Sequence, residues 1–369
     1  MHIRTVLLTA SIVILATACR KDEVFTDDPG AQLTLTVDTV LFDTIFTTVG
    51  SVTKRFTVHN DNDNAVRVDI ALEGGTPSPF RINVDGASGV TFNDVEILGH
   101  DSIFIFVEAT LGENNANDPF IFEDHILLNT NGNEQSVLLL AWGQDAHFYF
   151  PDQHIQGLPA FSYIAGGYDQ NGNQICETVQ WQNDKPYVIY GYAVVDSCCA
   201  LVIDPGVKVY FHGGGGLWVY KHGRIEANGE VNDRITFQGD RLEAMYEGLP
   251  NQWDRIWINE GAEGQDNVLR NCVIKNALIG VQAQTLPWTD DQPLSPNKLW
   301  LDNVRISNCF TAGLYTENYR IKATNLQVND AGQYAVVLTG DGQYEFDQNT
   351  IANYWSFDIR NDPAFLLTN

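Results

Sequence analysis

The side chains best suited to chemistry in this sequence are acids and bases that could act on a polysaccharide. Asp290 and Asp291 are adjacent, and Arg320 and Lys322 follow them along the chain. Acid–base cleavage of a glycosidic bond needs one carboxyl group on each side of that bond, and a lyase needs clustered acids for Ca²⁺ together with a basic residue. Ile321 is expected to point into a core, which leaves the two bases beside it at the surface. These groups make a polysaccharide lyase or glycoside hydrolase the alternative function.

Histidines and acidic turns could bind a metal ion, but their spacing does not predict a site. His212 and His222 are ten residues apart with no third ligand in view, so we interpret them as structural. Asp61 and Asp63 lie in an Asn- and Asp-rich turn, and solvated turn residues are the favoured interpretation. The segment Asp169–Asn173 has its glycine at the fourth position, whereas a calcium loop needs it at the sixth. We therefore predict no cofactor, with Ca²⁺ as the one cation the acids could hold.

The cysteines do not follow any zinc-binding pattern. They are Cys19, Cys176, Cys198, Cys199, Cys272 and Cys309. Cys176 could form a disulfide with Cys198 or with Cys199 in an oxidising compartment. Burial as small apolar thiols is the other interpretation.

The N-terminus has the layout of a secretory signal. A short basic start precedes an apolar run at residues 6–18, which is too short to span a bilayer comfortably. The segment Leu15–Cys19 resembles a bacterial lipobox, with Ala16 where an aliphatic residue is usual. The resemblance implies that residues 1–18 are a signal peptide and that Cys19 carries lipid, which would anchor the protein firmly to a membrane.

The residues after Cys19 indicate where such a lipoprotein would go. Lys21, Asp22 and Glu23 resemble the surface-export signal of lipoproteins in Bacteroidetes-type bacteria. The resemblance implies an outer-membrane lipoprotein exposed at the cell surface, with a periplasm-facing protein or a plain solvated linker as alternatives. Residues 19–31 then form a tether. The net charge of −26 fits an extracytoplasmic protein and argues against a nucleic-acid partner.

Residues 32–150 have the pattern of antiparallel strands joined by turns. Val66–Leu72 alternates between apolar and polar residues, and Asn131-Gly132 is a strong hairpin signal. The spacing predicts a β-sandwich. The run Phe56–Val84 resembles the Ig-like modules of bacterial surface proteins, in architecture only, because no Cys…Trp…Cys signature is present.

The pattern is different in the stretch Leu201–Asp240. Short runs that alternate apolar and polar residues each end at a turn, and the segments between them are too short for a helix. Short parallel strands stacked in successive rungs satisfy this pattern. A six-residue motif begins at Asn271, Asn303, Asn325 and Gln348, in steps of 32, 22 and 23 residues. We expect its fourth residue to point inward and its sixth to lie at a bend. These positions are Ile274, Ile306, Val328 and Ile351, then Asn276, Asn308, Asp330 and Asn353.

Three segments carry a resemblance to the right-handed parallel β-helix lipoproteins of Bacteroidetes. They are Lys185–Phe211, Trp253–Ala277 and Ile351–Ala364. The resemblance implies a β-helix over residues 181–369, a surface location and no particular activity, with residues 151–180 as a linker. The end of the chain, Phe365–Asn369, predicts the start of a further strand, so we expect the C-terminal cap to be missing.

The acids and bases at residues 290–291 and 320–322 match parts of two polygalacturonase motifs. The glycine-flanked histidine and the Asn-Thr-Asp motif of that family are missing, so we assign no catalytic residues.

Aromatic residues between the inward positions of successive rungs predict a binding face instead. Trp218, Trp257 and Tyr315 should point outward, with Arg255 beside them. Exposed rings would bind a polysaccharide or a surface protein, unless another part of the chain covers them. We therefore expect an all-β, non-catalytic, lipid-anchored surface protein with a binding or adhesion role.

Overall fold

The structure, a computed structural model, describes residues 23–47, 49–112, 120–286 and 293–368. In these ranges the chain is all-β, as predicted, and its single helical turn is a 3-10 helix at Ala244–Tyr246. None of the described segments is a helix long and apolar enough to cross a membrane. Cys19, Lys21 and Asp22 lie outside the described residues, and Glu23 is exposed. The chain divides after Gln144 into an N-terminal and a C-terminal unit.

The N-terminal unit contains two five-stranded sheets. Its strands are β1 (Thr34–Leu35), β2 (Thr39–Phe46), β3 (Lys54–His59), β4 (Val66–Leu72), β5 (Phe80–Val84), β6 (Ala87–Gly89), β7 (Thr91–Ile97), β8 (Ser102–Ala109), β9 (Phe120–Thr130) and β10 (Asn133–Gln144). One sheet has the order β1-β3-β8-β5-β6 and the other β2-β10-β9-β4-β7. All pairs are antiparallel except β2 with β10.

The two sheets enclose one apolar core, because alternate residues of each strand point to the same side. In β4 the valines, Ile70 and Leu72 are buried and Arg67 is exposed, as the alternation predicts. Phe42 of one sheet contacts Phe80 of the other, with ring centroids 5.9 Å apart. The predicted hairpin at Asn131-Gly132 is confirmed, and both residues have the positive φ that such a turn requires.

The C-terminal unit contains only short strands. They are β11 (His147–Tyr149), β12 (Phe161–Ala165), β13 (Thr178–Trp181), β14 (Tyr187–Ile189), β15 (Tyr192–Val195), β16 (Ala200–Ile203), β17 (Lys208–Phe211), β18 (Gly216–Val219), β19 (Arg224–Asn228), β20 (Ile235–Gly239), β21 (Ile256–Ile258), β22 (Asn267–Arg270), β23 (Cys272–Lys275), β24 (Ile279–Gln284), β25 (Lys298–Asp302), β26 (Arg305–Cys309), β27 (Ala312–Glu317), β28 (Arg320–Thr324), β29 (Gln327–Ala331), β30 (Tyr334–Thr339), β31 (Gln343–Asp347), β32 (Thr350–Ile351) and β33 (Phe365–Thr368).

These strands form three parallel sheets in which each strand pairs with the third strand after it. The first sheet is β11-β14-β17-β20-β23-β26-β29-β32, the second is β12-β15-β18-β21-β24-β27-β30-β33, and the third is β13-β16-β19-β22-β25-β28-β31. Three consecutive strands, one from each sheet, make a rung. The inward residues of all three sheets form one apolar core, an arrangement consistent with a β-solenoid.

The expected linker at residues 151–180 is wrong, because it contains β12 and nearly all of β13. The parallel sheets already begin at β11, within the range assigned to the sandwich. Glycines and acidic residues surround these first strands, so their apolar pattern is weak, and pairing with the next rung stabilises them. The segment Asp169–Asn173 is a turn, as expected, in which the Asp169 carboxylate accepts hydrogen bonds from the backbone of Asn171 and Asn173.

The six-residue motif marks a corner between sheets, as its spacing predicts. Ile274, Ile306 and Val328 are fully buried. The first and sixth residues of the motif adopt positive φ in most copies, which asparagine tolerates better than most residues. Asn303 Nδ2 donates to Asn271 Oδ1 at 2.6 Å, so the side chains form a ladder along the corner.

A disulfide joins Cys176 to Cys198, one of the two pairings left open by the sequence. The cysteines precede β13 and β16, which are neighbours in the third sheet. Cys199, Cys272 and Cys309 are buried thiols, and burial raises the pKa of Cys309 to about 12.

Candidate binding face

The candidate site lies on the outer face of the second parallel sheet of the C-terminal unit. Trp218, Trp257, Gln282 and Tyr315 occupy one column, each aligned with the next on strands β18, β21, β24 and β27. The predicted alignment of Trp218, Trp257 and Tyr315 is therefore confirmed, and Gln282 lies between the last two. The residues before and after each of these positions point inward, and nearly all of them pack in the apolar core, which holds the strands in place.

The expectation that both tryptophans are exposed is wrong for Trp218, which is only 5% exposed. Parallel pairing sets neighbouring strands at about the distance at which rings stack. The two indoles accordingly stack with centroids 4.7 Å apart and planes 10° apart, so each covers a face of the other. Trp218 Nε1 also donates to Asn259 Oδ1 at 2.7 Å, and Tyr220 packs edge-on against the ring. Only Trp257 of the pair remains partly exposed.

Arg255 lies beside the column, as expected, and is held in a polar network. Its Nε and Nη2 each lie 2.8 Å from Asp254 Oδ1, and its Nη1 donates to Gln282 Oε1. The hydroxyl of Tyr192 donates to the other carboxylate oxygen of Asp254. Burial, and then the Asp254 charge, raise the pKa of Tyr192, so this hydroxyl stays protonated. The guanidinium is thus fixed in orientation beside the partly exposed Trp257, whereas the Gln282 side chain is buried.

A second polar cluster, consisting of Lys221, Glu260 and Leu286, borders the same sheet. Lys221 Nζ lies 2.7 Å from Glu260 Oε1 and donates to the carbonyl of Leu286 at 3.0 Å. The backbone N–H of Leu286 donates to Glu260 Oε2 at 2.8 Å. The carboxylate is therefore neutralised by a cation and holds the chain after β24 in place.

Tyr315 is partly exposed at the other end of the column. Its hydroxyl lies 3.5 Å from Glu317 Oε2, and burial raises its pKa. The column thus combines one partly exposed indole and one partly exposed phenol, with the oriented Arg255 guanidinium beside them. It can donate and accept hydrogen bonds and offer apolar contact, which are the interactions of a binding surface.

The other candidate groups do not join this face. Arg320 and Lys322 lie on β28 of the third sheet, with Ile321 buried between them as predicted. Lys322 pairs with Glu345 at 3.7 Å. Asp290 and Asp291 are outside the described residues. Among the residues with coordinates described, no three His, Cys, Asp or Glu side chains form a group that could hold a metal ion.

The sequence reading missed a second column of rings at the corner between the first and second sheets. Phe150 stacks on Tyr190 at 4.8 Å, and Tyr190 stacks on His212 at 4.4 Å. His212 Nδ1 lies 2.7 Å from Asp240 Oδ2. Burial raises the pKa of Asp240, and the contact with His212 opposes that shift. Phe150, Tyr190, His212 and Asp240 each come directly after a strand of the first sheet. This shared position is the signal that could have located them in the sequence.

Comparison with known proteins adds little to this picture. No family model matches the chain, and no curated protein matches it. Partial likenesses to solved structures include the E. coli chaperone DraB, with 17% identity and a TM-score of 0.22 over 31% of this chain and 55% of DraB. PapD-like domain 7 of human CEP192 shows 10% identity and a TM-score of 0.21 over 35% of this chain and 95% of that domain. Likenesses this weak do not support a fold or a function.

Proposed function

We propose that this chain is a non-catalytic, lipid-anchored surface protein that binds a polysaccharide through the outer face of the second parallel sheet. The observation that carries the proposal is the Arg255 guanidinium, held in place by Asp254, beside the partly exposed Trp257. Polar groups already oriented on a rigid sheet lose little entropy on binding. A partner protein is the alternative ligand for the same face.

The acids on this face favour binding over bond cleavage. Asp254 is paired with Arg255 and accepts a hydrogen bond from Tyr192, while Glu260 is paired with Lys221. Acid–base cleavage needs carboxyl groups free to face the scissile bond, whereas both of these carboxylates are held in ion pairs within the protein. A lyase or hydrolase would have to use other groups of the chain.

The proposed location rests on the N-terminal sequence and on the disulfide. Residues 1–18 would be removed, Cys19 would carry the lipid, and Lys21, Asp22 and Glu23 would direct the protein to the outer surface of the outer membrane. The Cys176–Cys198 bond supports this location, since disulfides persist in oxidising compartments outside the cytoplasm.

The proposal also covers the fold family of the N-terminal unit and the handedness of the C-terminal unit. We infer that the N-terminal unit is an Ig-like sandwich. We also infer that the C-terminal unit is a right-handed β-helix, because parallel crossover connections are right-handed in nearly all proteins.

The location is tested by substitution at the N-terminus. Cys19→Ala should release the protein from the membrane fraction or trap its unprocessed precursor. Joint replacement of Lys21, Asp22 and Glu23 by Ala should leave the protein lipidated but protected from protease added outside the cell. Membrane retention of a normally processed Cys19→Ala protein would exclude the anchor. Unchanged protease access in the triple variant would exclude the export signal.

A further inference from the structure

The second parallel sheet, which carries the proposed binding face, has almost no charged residues. In its eight described strands Glu317 is the only one. In the third sheet, by contrast, β25, β28 and β31 each carry two charged residues. Because 18% of the residues in the whole chain are charged, the scarcity of charge is a local property of the second sheet.

The column of aligned residues on this face continues beyond Trp218. Tyr163 of β12 is aligned with Val194 of β15, and Val194 is aligned with Trp218 of β18. Tyr163 and Trp257 are partly exposed and pack against the same buried group of side chains, which includes Trp218. From Tyr163 to Tyr315 the column crosses five strand-to-strand steps, a length of about 24 Å. The face is therefore long enough to contact an extended chain of several sugar units.

The accessible groups along the column are rings and hydroxyls. Tyr163, Trp257 and Tyr315 are partly exposed. Tyr220 packs edge-on against Trp218, with ring centroids 5.4 Å apart, and is 37% exposed. A tyrosine hydroxyl both donates and accepts hydrogen bonds, and its ring supplies apolar contact area. These are the interactions that an uncharged sugar, with its hydroxyl groups and its apolar C–H surface, can return.

Two ion pairs border the column, and each cation in them is matched by an acid. Arg255 Nη2 lies 2.8 Å from Asp254 Oδ1, and Lys221 Nζ lies 2.7 Å from Glu260 Oε1. A ligand carboxylate would therefore have to compete with an acid that already holds its cation. Neither pair gives a net attraction for an anion.

The two ends of the column lie close to negative charge. Burial, and then the charge of Asp196, raise the pKa of Tyr163 at one end. Burial, and then the charge of Glu317, raise the pKa of Tyr315 at the other end. An acidic ligand that covered the whole column would be repelled at both ends, and the chain's net charge of −26 adds to that repulsion.

We propose that the outer face of the second sheet binds a neutral polysaccharide, one without carboxylate or sulfate groups, as an extended chain that lies along the column from Tyr163 to Tyr315. This inference rests on the proposed binding function and specifies the class of its ligand and the direction in which the ligand lies. The rings and hydroxyls of the column hold the chain, and charge plays no part in the attraction.

The test is a titration of the full chain with four hexasaccharides: neutral cellohexaose, xylohexaose and mannohexaose, and acidic hexagalacturonate. At least one neutral hexasaccharide should bind about tenfold or more tightly than hexagalacturonate, and also about tenfold or more tightly than its own disaccharide. The affinity for the neutral ligand should change less than about twofold between about 0.02 and 0.5 M NaCl, since salt screens only interactions between charges.

Variants at the two ends of the column test whether one ligand reaches both. Tyr163→Ala and Tyr315→Ala should each weaken binding of the same hexasaccharide about fivefold while the protein stays folded at the assay temperature. Tyr163→Phe keeps the ring and should retain most of the affinity. The matched control is Tyr354→Ala, which removes a 78% exposed ring outside the column and should leave binding unchanged.

The outcomes separate this inference from the proposed function. Hexagalacturonate binding as tightly as the best neutral hexasaccharide would overturn the neutral ligand class and leave a polysaccharide-binding face in place. Equal affinity for disaccharide and hexasaccharide, or an effect at only one end of the column, would overturn the extended placement. Failure of all four hexasaccharides to bind would count against the proposed function itself.

Discussion

At the residue scale, Trp218 and Trp257 have different roles although they are neighbours in one column. Trp218 is almost completely buried and donates a hydrogen bond to Asn259, whereas Trp257 is partly exposed. Burial of a large ring contributes to stability, and exposure of its neighbour leaves it available for contact. Substitutions at the two positions should therefore separate packing from binding.

Trp218→Ala should lower the free energy of unfolding by roughly 3–5 kcal/mol, because it removes a buried ring from a stack. Trp218→Phe keeps a ring in the stack and loses the bond to Asn259, so it should cost about 1–3 kcal/mol. Chemical denaturation measures both values. A cost below about 1 kcal/mol for Trp218→Ala would mean that this ring is not packed as described.

The burial of Asp240 beside His212 predicts a dependence of stability on pH. Burial raises the pKa of Asp240 above 3.8 in the folded protein, so folding favours its protonated form. The stability from this group is then fully present below pH 3.8 and is lost as the pH rises through the folded pKa. The Asp240→Asn variant has no carboxyl group at this position, so its stability lacks this contribution to the pH dependence. The unfolding free energy of the natural protein minus that of Asp240→Asn should therefore fall as the pH is raised from 3.5 to 6.

Denaturation of both proteins across that pH range measures the difference. A difference that grows with pH would contradict the prediction, because it would mean that the ion pair with His212 outweighs the burial of the carboxylate.

At the element scale, the asparagine corner fixes where one strand ends and the next begins. Asn303 has a φ of 55° and donates to Asn271, so both its backbone and its side chain stabilise the bend. Alanine at this position would be strained at the positive φ, because it has a β-carbon, and it could not donate the side-chain hydrogen bond.

Asn303→Ala should lower the free energy of unfolding by about 2–4 kcal/mol, the combined effect of backbone strain and the lost hydrogen bond. Asn303→Gly is the matched control, since glycine accepts the positive φ and loses only the amide. It should cost clearly less than Asn303→Ala in the same denaturation experiment. Equal costs would show that the side-chain ladder alone stabilises the corner.

At the scale of the whole molecule, the sequence predicts the parallel sheets well because the chain repeats one physical requirement. Each rung needs an apolar inward residue and a turn, and the motif beginning at Asn271 repeats both. The strand at Phe365–Thr368 is likewise as predicted. The first rung was missed, because Phe161–Ala165 has no repeat before it and depends on its neighbour for pairing.

The site could be predicted only in part. Alternation fixed which residues share a column, so Trp218, Trp257 and Tyr315 fall where expected. Alternation gives the side of a sheet but not the orientation of a ring on it, so the stacking of the two indoles was missed.

The measurement that tests the central claim most directly is affinity electrophoresis of the purified protein through gels that contain xylan, galactomannan, mixed-linkage β-glucan or polygalacturonate, with an assay of the same mixtures for new chain ends. We predict retardation by at least one polysaccharide and no new chain ends, with or without Ca²⁺. Trp257→Ala and Tyr315→Ala should each weaken that retention about tenfold while the protein stays folded at the temperature of the gel, and Arg305→Gln, exposed on the first sheet, should not. New chain ends, or retention that both ring variants leave intact, would contradict the account.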